Sequence, residues 1–223
     1  MLSHAQEKLI KSLQKRKARE ESGQCLVEGS KVIETAGSAM ILTFTRNDTE
    51  LFDELVTTET PQDVAGIATI PKWTSDDLAR KQTIVVLDGV QDPGNVGAIL
   101  RLCLGFDAGL ILIESADPTS PKVVRASTGA MFSVPWTVCS RDNAHEAILG
   151  FSREIIRLEK QKNALDLPAI MHHRPLILIA GSEGSGIQLP LKAPSLTIQH
   201  DERLESLNVS QALAIALHAR FQA

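Results

Sequence analysis

The sequence predicts an α/β protein in which a largely parallel sheet is covered by helices on both faces and preceded by a smaller α/β unit. Three observations predict it. Short uninterrupted apolar runs, such as "TIVVL" at 83–87 and "LILIA" at 176–180, recur through the C-terminal part of the chain, as strands buried on both faces do. Helical patterns or turns separate these runs, the alternation that builds parallel sheets. A charged stretch headed by proline, "PKWTSDDLARKQ" at 71–82, divides them from a shorter α/β pattern upstream. The division expected is a small unit over 1–75 and a larger one over 76–223.

Along the chain, Leu9, Ile10 and Leu13 fall at helical spacing among strong helix formers, which predicts one helix over 3–19. "QCLVEG" reads as a strand closed by Gly29, and Ser30 as the cap of a helix over "KVIETA". "AMILTF" and "AGIATI" are further strands, with a helix over "NDTELFDELV" between them. In the larger unit, strands are expected at "TIVVLDG", "GLILIES", "SVPWTVC", "EIIRLE", "PLILIAG" and "SLTIQ". Ligands of such sheets sit beyond the carboxyl ends of the strands. The loops after Leu87, Ile179 and Ile198 are therefore the places to search.

Composition narrows the classes. Of 223 residues, 43% are hydrophobic and 22% charged, ordinary for a soluble globular protein. The apolar runs are too short to span a bilayer, and the N-terminus has no apolar core of a secretory signal. Cys25, Cys103 and Cys139 are scattered, without metal-ligand spacing, and read as free thiols in a reducing cytoplasm. The net charge of −4 is unevenly spread, with seven Lys/Arg against four Glu in residues 1–31. That basic segment is either a solvated helix face or an RNA-facing edge.

Three loops carry unusual chemistry. In "DPGNVGAILRLC", Asn95 reads as an N-cap, and Val96, Ile99, Leu100 and Cys103 as the core stripe of a helix. Arg101 lies four residues beyond Gly97, so its side chain is expected to lean back across the bare glycine toward Asn95. That would hold a cation beside the backbone donors of a helix N-terminus, which already favour anions. Singly, Asn95 as a cap, Gly97 as a close contact and Arg101 as a carbonyl partner each have a structural account. In "LILIAGSEGSGIQLP" a buried strand runs into Gly181, Gly184 and Gly186 around Glu183. Glycines there permit close backbone approach to a ligand, and the pattern is neither a Walker A loop nor a dinucleotide fingerprint. In "ESLNVSQA", Ser206, Asn208 and Ser210 crowd one helix entrance, more polar groups than a cap at Asn208 needs.

Taken together, these loops resemble the three motifs of the SpoU (TrmH-like) RNA ribose 2′-O-methyltransferases of the SPOUT superfamily. Motif one matches Asn95, Gly97 and Arg101; motif two matches Gly181 and Glu183; motif three matches Ser206, Leu207 and Asn208. The intervening "KVVRASTGAMFSVP" matches a family segment at Arg125, Ser127, Gly129 and Pro135. The resemblance covers roughly residues 83–223, and residues 7–70 look like the family's small substrate-binding domain.

The resemblance implies a C-terminal SPOUT domain with a deep trefoil knot, where periodicity alone gives an ordinary doubly wound sheet. It implies S-adenosylmethionine bound bent in the knot, contacted around Gly181, Ser182, Gly184, Ile198 and Leu207. It also implies a homodimer bringing Arg101 toward the partner's cofactor, with Asn95, Glu183, Ser206 and Asn208 completing the catalytic set. RNA, ribosomal before transfer, is the implied substrate. Lys15, Arg16, Lys17, Arg19 and Arg125 are then the phosphate-contacting candidates. No metal is implied. One departure stands out: the family carries Ile-Pro-Met where this chain has Ile198-Gln199-His200. Losing the proline loosens the cofactor loop, and the histidine brings a titratable ring beside it. The rival readings are methylation of a base nitrogen, 2′-O-methylation of transfer RNA, an RNA-binding assembly factor with a degraded cofactor site, and a generic nucleotide-binding α/β protein, the last weakened by the absence of a phosphate-loop or dinucleotide fingerprint.

Overall fold

The structure, a computed structural model, describes residues 1–58 and 60–222. Two helices, α1 (His4–Ser12) and α2 (Arg16–Ser22), stand where one was expected. α1 opens on a capping box between Ser3 and Gln6 and stops at Leu13. The break has a physical cause. Arg19 on α2 turns inward and donates to the Leu13 and Gln14 carbonyls at 2.8 and 3.1 Å, satisfying acceptors that a continuing helix would have used.

Strand β1 (Gln24–Glu28) leads to α3 (Ser30–Ala36), whose cap is Gly29, not Ser30. Gly29 sits at φ 94°, and the Gln62 side chain accepts from the Ser30 amide at 3.2 Å. β2 (Met40–Thr45) and β3 (Val64–Thr69) complete an antiparallel sheet in the order β1-β3-β2. Between them α4 (Phe52–Leu55) is a single turn, shorter than expected. The connector holds its own short helix, α5 (Ser75–Ala79), capped by Thr74 and Asp77.

The larger sheet comprises β4 (Thr83–Asp88), β5 (Ala108–Ile113), β6 (Trp136–Cys139), β7 (Glu154–Leu158), β8 (Leu176–Gly181) and β9 (Ser195–Leu196). Its order is β6-β5-β4-β8-β7-β9, and each pairing is parallel. Every residue of β4 and β5 is buried, as their unbroken apolar runs required. β9 has only two of the five residues expected. Helices α6 (Pro93–Gly105), α7 (Pro121–Ala126), α8 (Arg141–Leu149) and α9 (Val209–Phe221) complete the unit.

One apolar core runs through both units, joining Cys25, Val27 and Val32 to Val85, Leu100 and Leu213. Two arginines expected to face RNA reinforce that junction: Arg19 is buried in it, whereas Arg125 keeps 34% of its side chain exposed. Arg19 is 3% exposed and is bound to Asp117, with its Nε 3.1 Å from Thr119 Oγ1. Arg125 donates to Glu28 Oε2 at 2.7 Å and Thr57 Oγ1 at 3.3 Å. The carboxylate partners Asp117 and Glu28 each lie about a hundred residues away, out of reach of any local pattern. Lys15, Arg16 and Lys17 do lie on the surface, with Arg16 and Lys17 paired to Glu20 and Glu21 one turn on. The three cysteines are free, and burial pushes the Cys25 and Cys103 thiols up to about 12. No helix among the described residues is long and apolar enough to cross a membrane.

Candidate active site at the carboxyl ends of the strands

β4 and β8 are neighbours in register, with Asp88 opposite Gly181. The first and second motif loops therefore leave the sheet side by side, although about ninety residues separate them in sequence. α9 packs on α6 and brings the third loop to the same place.

There Asn95, Glu183 and Asn208 close a triangle. Asn208 Nδ2 donates to Glu183 Oε1 at 2.6 Å and to Asn95 Oδ1 at 3.0 Å. Asn95 Nδ2 donates to the same Glu183 oxygen at 3.2 Å. Asn208 also caps α9, its Oδ1 accepting from the Ser210 amide at 2.9 Å and the Ser210 hydroxyl at 2.6 Å. Asn95 is not a cap. Asp92 fills that role, accepting from the Asn95 amide at 2.8 Å, and Pro93 occupies the first helical turn. The arrangement frees the Asn95 carboxamide to face the other two loops.

Gly97 and Arg101 are placed differently from the sequence reading. Gly97 is pressed against α7, where an added Cβ would lie 2.4 Å from Ala126 Cβ and 2.8 Å from the Ser127 nitrogen. Its missing side chain makes room for a helix, not for the guanidinium. Arg101 is exposed, on an open groove between α6 and α9 beside Ser210 and Gln211. It has no hydrogen-bond or ion-pair partner among the described residues. The side chain follows the outer face of α6, while Val96, Ile99, Leu100 and Cys103 take the inner one, each fully buried.

Next to the triangle lies a cleft of two adjoining cavities of about 120 and 180 Å³, which only together reach the lower edge of the range of small-molecule sites. Ser206, Leu207, Leu158 and Glu159 line both. The outer lobe adds Ile198 and His200, and the inner adds Gly181, Ser182 and Glu183. Of the expected cofactor positions, Gly184 alone stands apart, at an exposed loop tip with open space around it. Burial by itself would raise the Glu159 carboxyl, but hydrogen bonds from Arg157 and Ser195 hold it below the usual range. Glu159 is thus ionised at neutral pH and paired with the Arg157 guanidinium at 2.8 Å.

Two anchors of the second loop were missed. The Asp88 carboxylate, fully buried, accepts from the Gln188 and Leu189 amides at 2.6 and 2.7 Å and faces Arg141 at 2.8 Å. Arg157 donates to the Leu189 and Leu191 carbonyls at 3.1 and 2.8 Å. The signal available was an acid ending an otherwise apolar strand in "VVLDG", an uncommon place for an uncompensated charge.

A family model, SpoU rRNA Methylase, matches residues 82–218, which is most of the larger unit and all three loops. The chain belongs to the SpoU rRNA methylase family. A second model, the MRM3-like substrate binding domain, matches residues 5–45 of this SpoU chain. Among curated relatives, the 23S rRNA (adenosine(1067)-2′-O)-methyltransferase of Streptomyces azureus is 32% identical over 78% of this chain and 67% of its own length. The 23S rRNA (guanosine(2553)-2′-O)-methyltransferase RlmP of Bacillus subtilis is 26% identical over 93% and 92%. In structure, an AdoMet-bound rRNA methyltransferase from Sinorhizobium meliloti superposes with a TM-score of 0.84 at 24% identity, covering 99% of this chain and 95% of that one. That likeness is one of fold.

Proposed function

We propose that this SpoU protein transfers a methyl group from S-adenosylmethionine to a ribose 2′-hydroxyl of ribosomal RNA. The observation that carries the proposal is the Asn95–Glu183–Asn208 triangle, which joins the family's three motifs at the mouth of a ligand-sized cleft. The relatives' printed activities are ribose methylations of ribosomal RNA.

The cleft suits the cofactor. The Glu183 carboxylate favours a cation at its wall, and Gly181, Ser182, Ile198 and Leu207 supply backbone and apolar surface. When bound, the cofactor supplies an electrophilic methyl on a positively charged sulfur. The remaining work falls to the protein. A ribose hydroxyl is a poor nucleophile that must lose its proton as it attacks, and in-line alignment of oxygen, carbon and sulfur makes positioning a large part of the rate. In this reading Glu183, held by two carboxamides, and Ser206 at the cleft mouth fix the ribose. A guanidinium holds its proton too firmly to make a good general base. The role of Arg101 is to pair with phosphate and stabilise the developing alkoxide.

Arg101 does not reach its own triangle, so the reading includes a homodimer in which it serves the partner's site. Support comes from the outer surface of α6 and α9, where Leu104, Ile215 and Phe221 are exposed and Arg101 stands uncommitted. The reading also includes the trefoil knot. Asp88 and Arg157 pin the segment after β8 before the chain returns beside β7 as β9, a path compatible with threading. The small unit, residues 1–75, would present RNA, with Lys15, Arg16 and Lys17 as its outward cations.

The deciding assay is transfer of labelled methyl to ribosomal RNA fragments, with the product mapped by resistance to alkaline cleavage 3′ of the modified ribose. Arg101→Lys keeps the charge but loses the planar fork, and is expected to abolish nearly all turnover while cofactor binding persists. Near-normal turnover in that variant refutes the role given to Arg101. Methylation confined to transfer RNA, or no cofactor binding at all, refutes the wider proposal.

A further inference from the structure

His200 stands where the family resemblance leads one to expect methionine, and its environment is specific. Its Nδ1 lies 2.7 Å from the Ile198 carbonyl oxygen. A carbonyl can only accept, so Nδ1 carries the proton and, in the neutral ring, Nε2 carries a lone pair. That Nε2 is buried and has no hydrogen-bond partner among the described residues. A buried acceptor left unpaired is unusual in a folded protein and calls for a donor from outside the chain. The ring lines the outer lobe of the cleft, whose other walls include Leu158, Leu196, Ile198, Leu207 and Ala212. Such apolar walls suit a flat heteroaromatic ring; Glu159, Thr197, Glu205 and Ser206 also line the lobe, and among its lining groups the His200 Nε2 is the buried acceptor left without a partner.

We propose that His200 is a specificity residue for the nucleoside end of the cofactor, its Nε2 accepting a hydrogen bond from the exocyclic amino group of the purine. The inference rests on the cofactor assignment made above, and goes beyond it by naming one atom of this chain as the reader of the amine. It gives the departure from Ile-Pro-Met a function: the tautomer is locked by the loop's own backbone, so the ring presents a nitrogen acceptor where methionine has only a weakly accepting sulfur.

The test compares two ligands by calorimetry at pH 8, S-adenosylhomocysteine and S-inosylhomocysteine, in which an oxygen replaces the amine. The wild-type protein is expected to prefer the adenosyl ligand. In His200→Met that preference should shrink by about three- to tenfold, the worth of one ordinary hydrogen bond. His200→Gln, whose side-chain oxygen can still accept, should keep part of it. Because the readout is a ratio of two affinities, a general loosening of the loop would weaken both ligands and leave the ratio standing. An unchanged preference in His200→Met, with the adenosyl ligand still bound, overturns the role of His200 and spares the cofactor assignment. Failure of the wild-type protein to bind either ligand overturns the assignment and this inference with it.

Discussion

Gly97→Ala separates two explanations of the same glycine. If Gly97 exists so that Arg101 can fold across it, a methyl group there costs activity and little stability. If it exists so that α6 can lie on α7, the cost is in stability first. The geometry gives the size. An added Cβ would meet Ala126 Cβ at 2.4 Å, Ala126 C at 2.8 Å and Ser127 N at 2.8 Å, where carbon atoms prefer about 3.5–4.0 Å. The two helices must part by about 1 Å. Overpacking of this kind costs about 1–3 kcal/mol, and backbone atoms among those struck place it at the upper end. Helix propensity returns about 1 kcal/mol on replacing glycine by alanine. The net loss expected is about 2 kcal/mol, or a fall in Tm of about 4–8 °C for a chain of this size. Differential scanning calorimetry measures it directly. The double variant Gly97→Ala/Ala126→Gly removes the shortest of the three contacts and should recover part of the loss. A Gly97→Ala protein as stable as the wild type would refute the packing argument.

Two further perturbations probe the supports of the site. Arg19→Ala leaves the Asp117 carboxylate buried without its main partner and should destabilise by about 3 kcal/mol at pH 7. Burial alone would raise Asp117, yet bonds from Arg19 and Thr119 hold it below the ordinary carboxylate range. A depressed carboxyl contributes stability above its unfolded value, near about 3.9, and loses it as pH falls through the folded one. The gap between wild type and Arg19→Ala, followed by urea titration, should therefore narrow below about pH 4; a gap constant from pH 7 to 3 contradicts this. Asp88→Asn weakens the anchor of the second loop, since an amide oxygen accepts less strongly than a carboxylate. Hydrogen exchange at the Gln188 and Leu189 amides should accelerate by tenfold or more, and cofactor KM should rise further than kcat falls.

Much of this protein was legible in its residues. Unbroken apolar runs identified the strands of the parallel sheet because burial on both faces leaves no position for a polar side chain, and β4 and β5 are buried throughout. Asn95, Glu183 and Asn208 were recognisable because loops at strand ends rarely hold so many polar groups without use, and the structure brings all three within hydrogen-bond distance. What the residues could not decide were choices between partners distant in the chain. Whether Asp92 or Asn95 caps α6 depends on Glu183 and Asn208 waiting opposite. Whether Arg19 turns to solvent or the interior, and which carboxylate Arg125 meets, depends on Asp117 and Glu28, each about a hundred positions away. Helical and strand periods are written by backbone geometry over a few residues. The pairing of charges, the contact of Gly97 with Ala126 and the meeting of three loops follow only from strand order, which sets β4 beside β8.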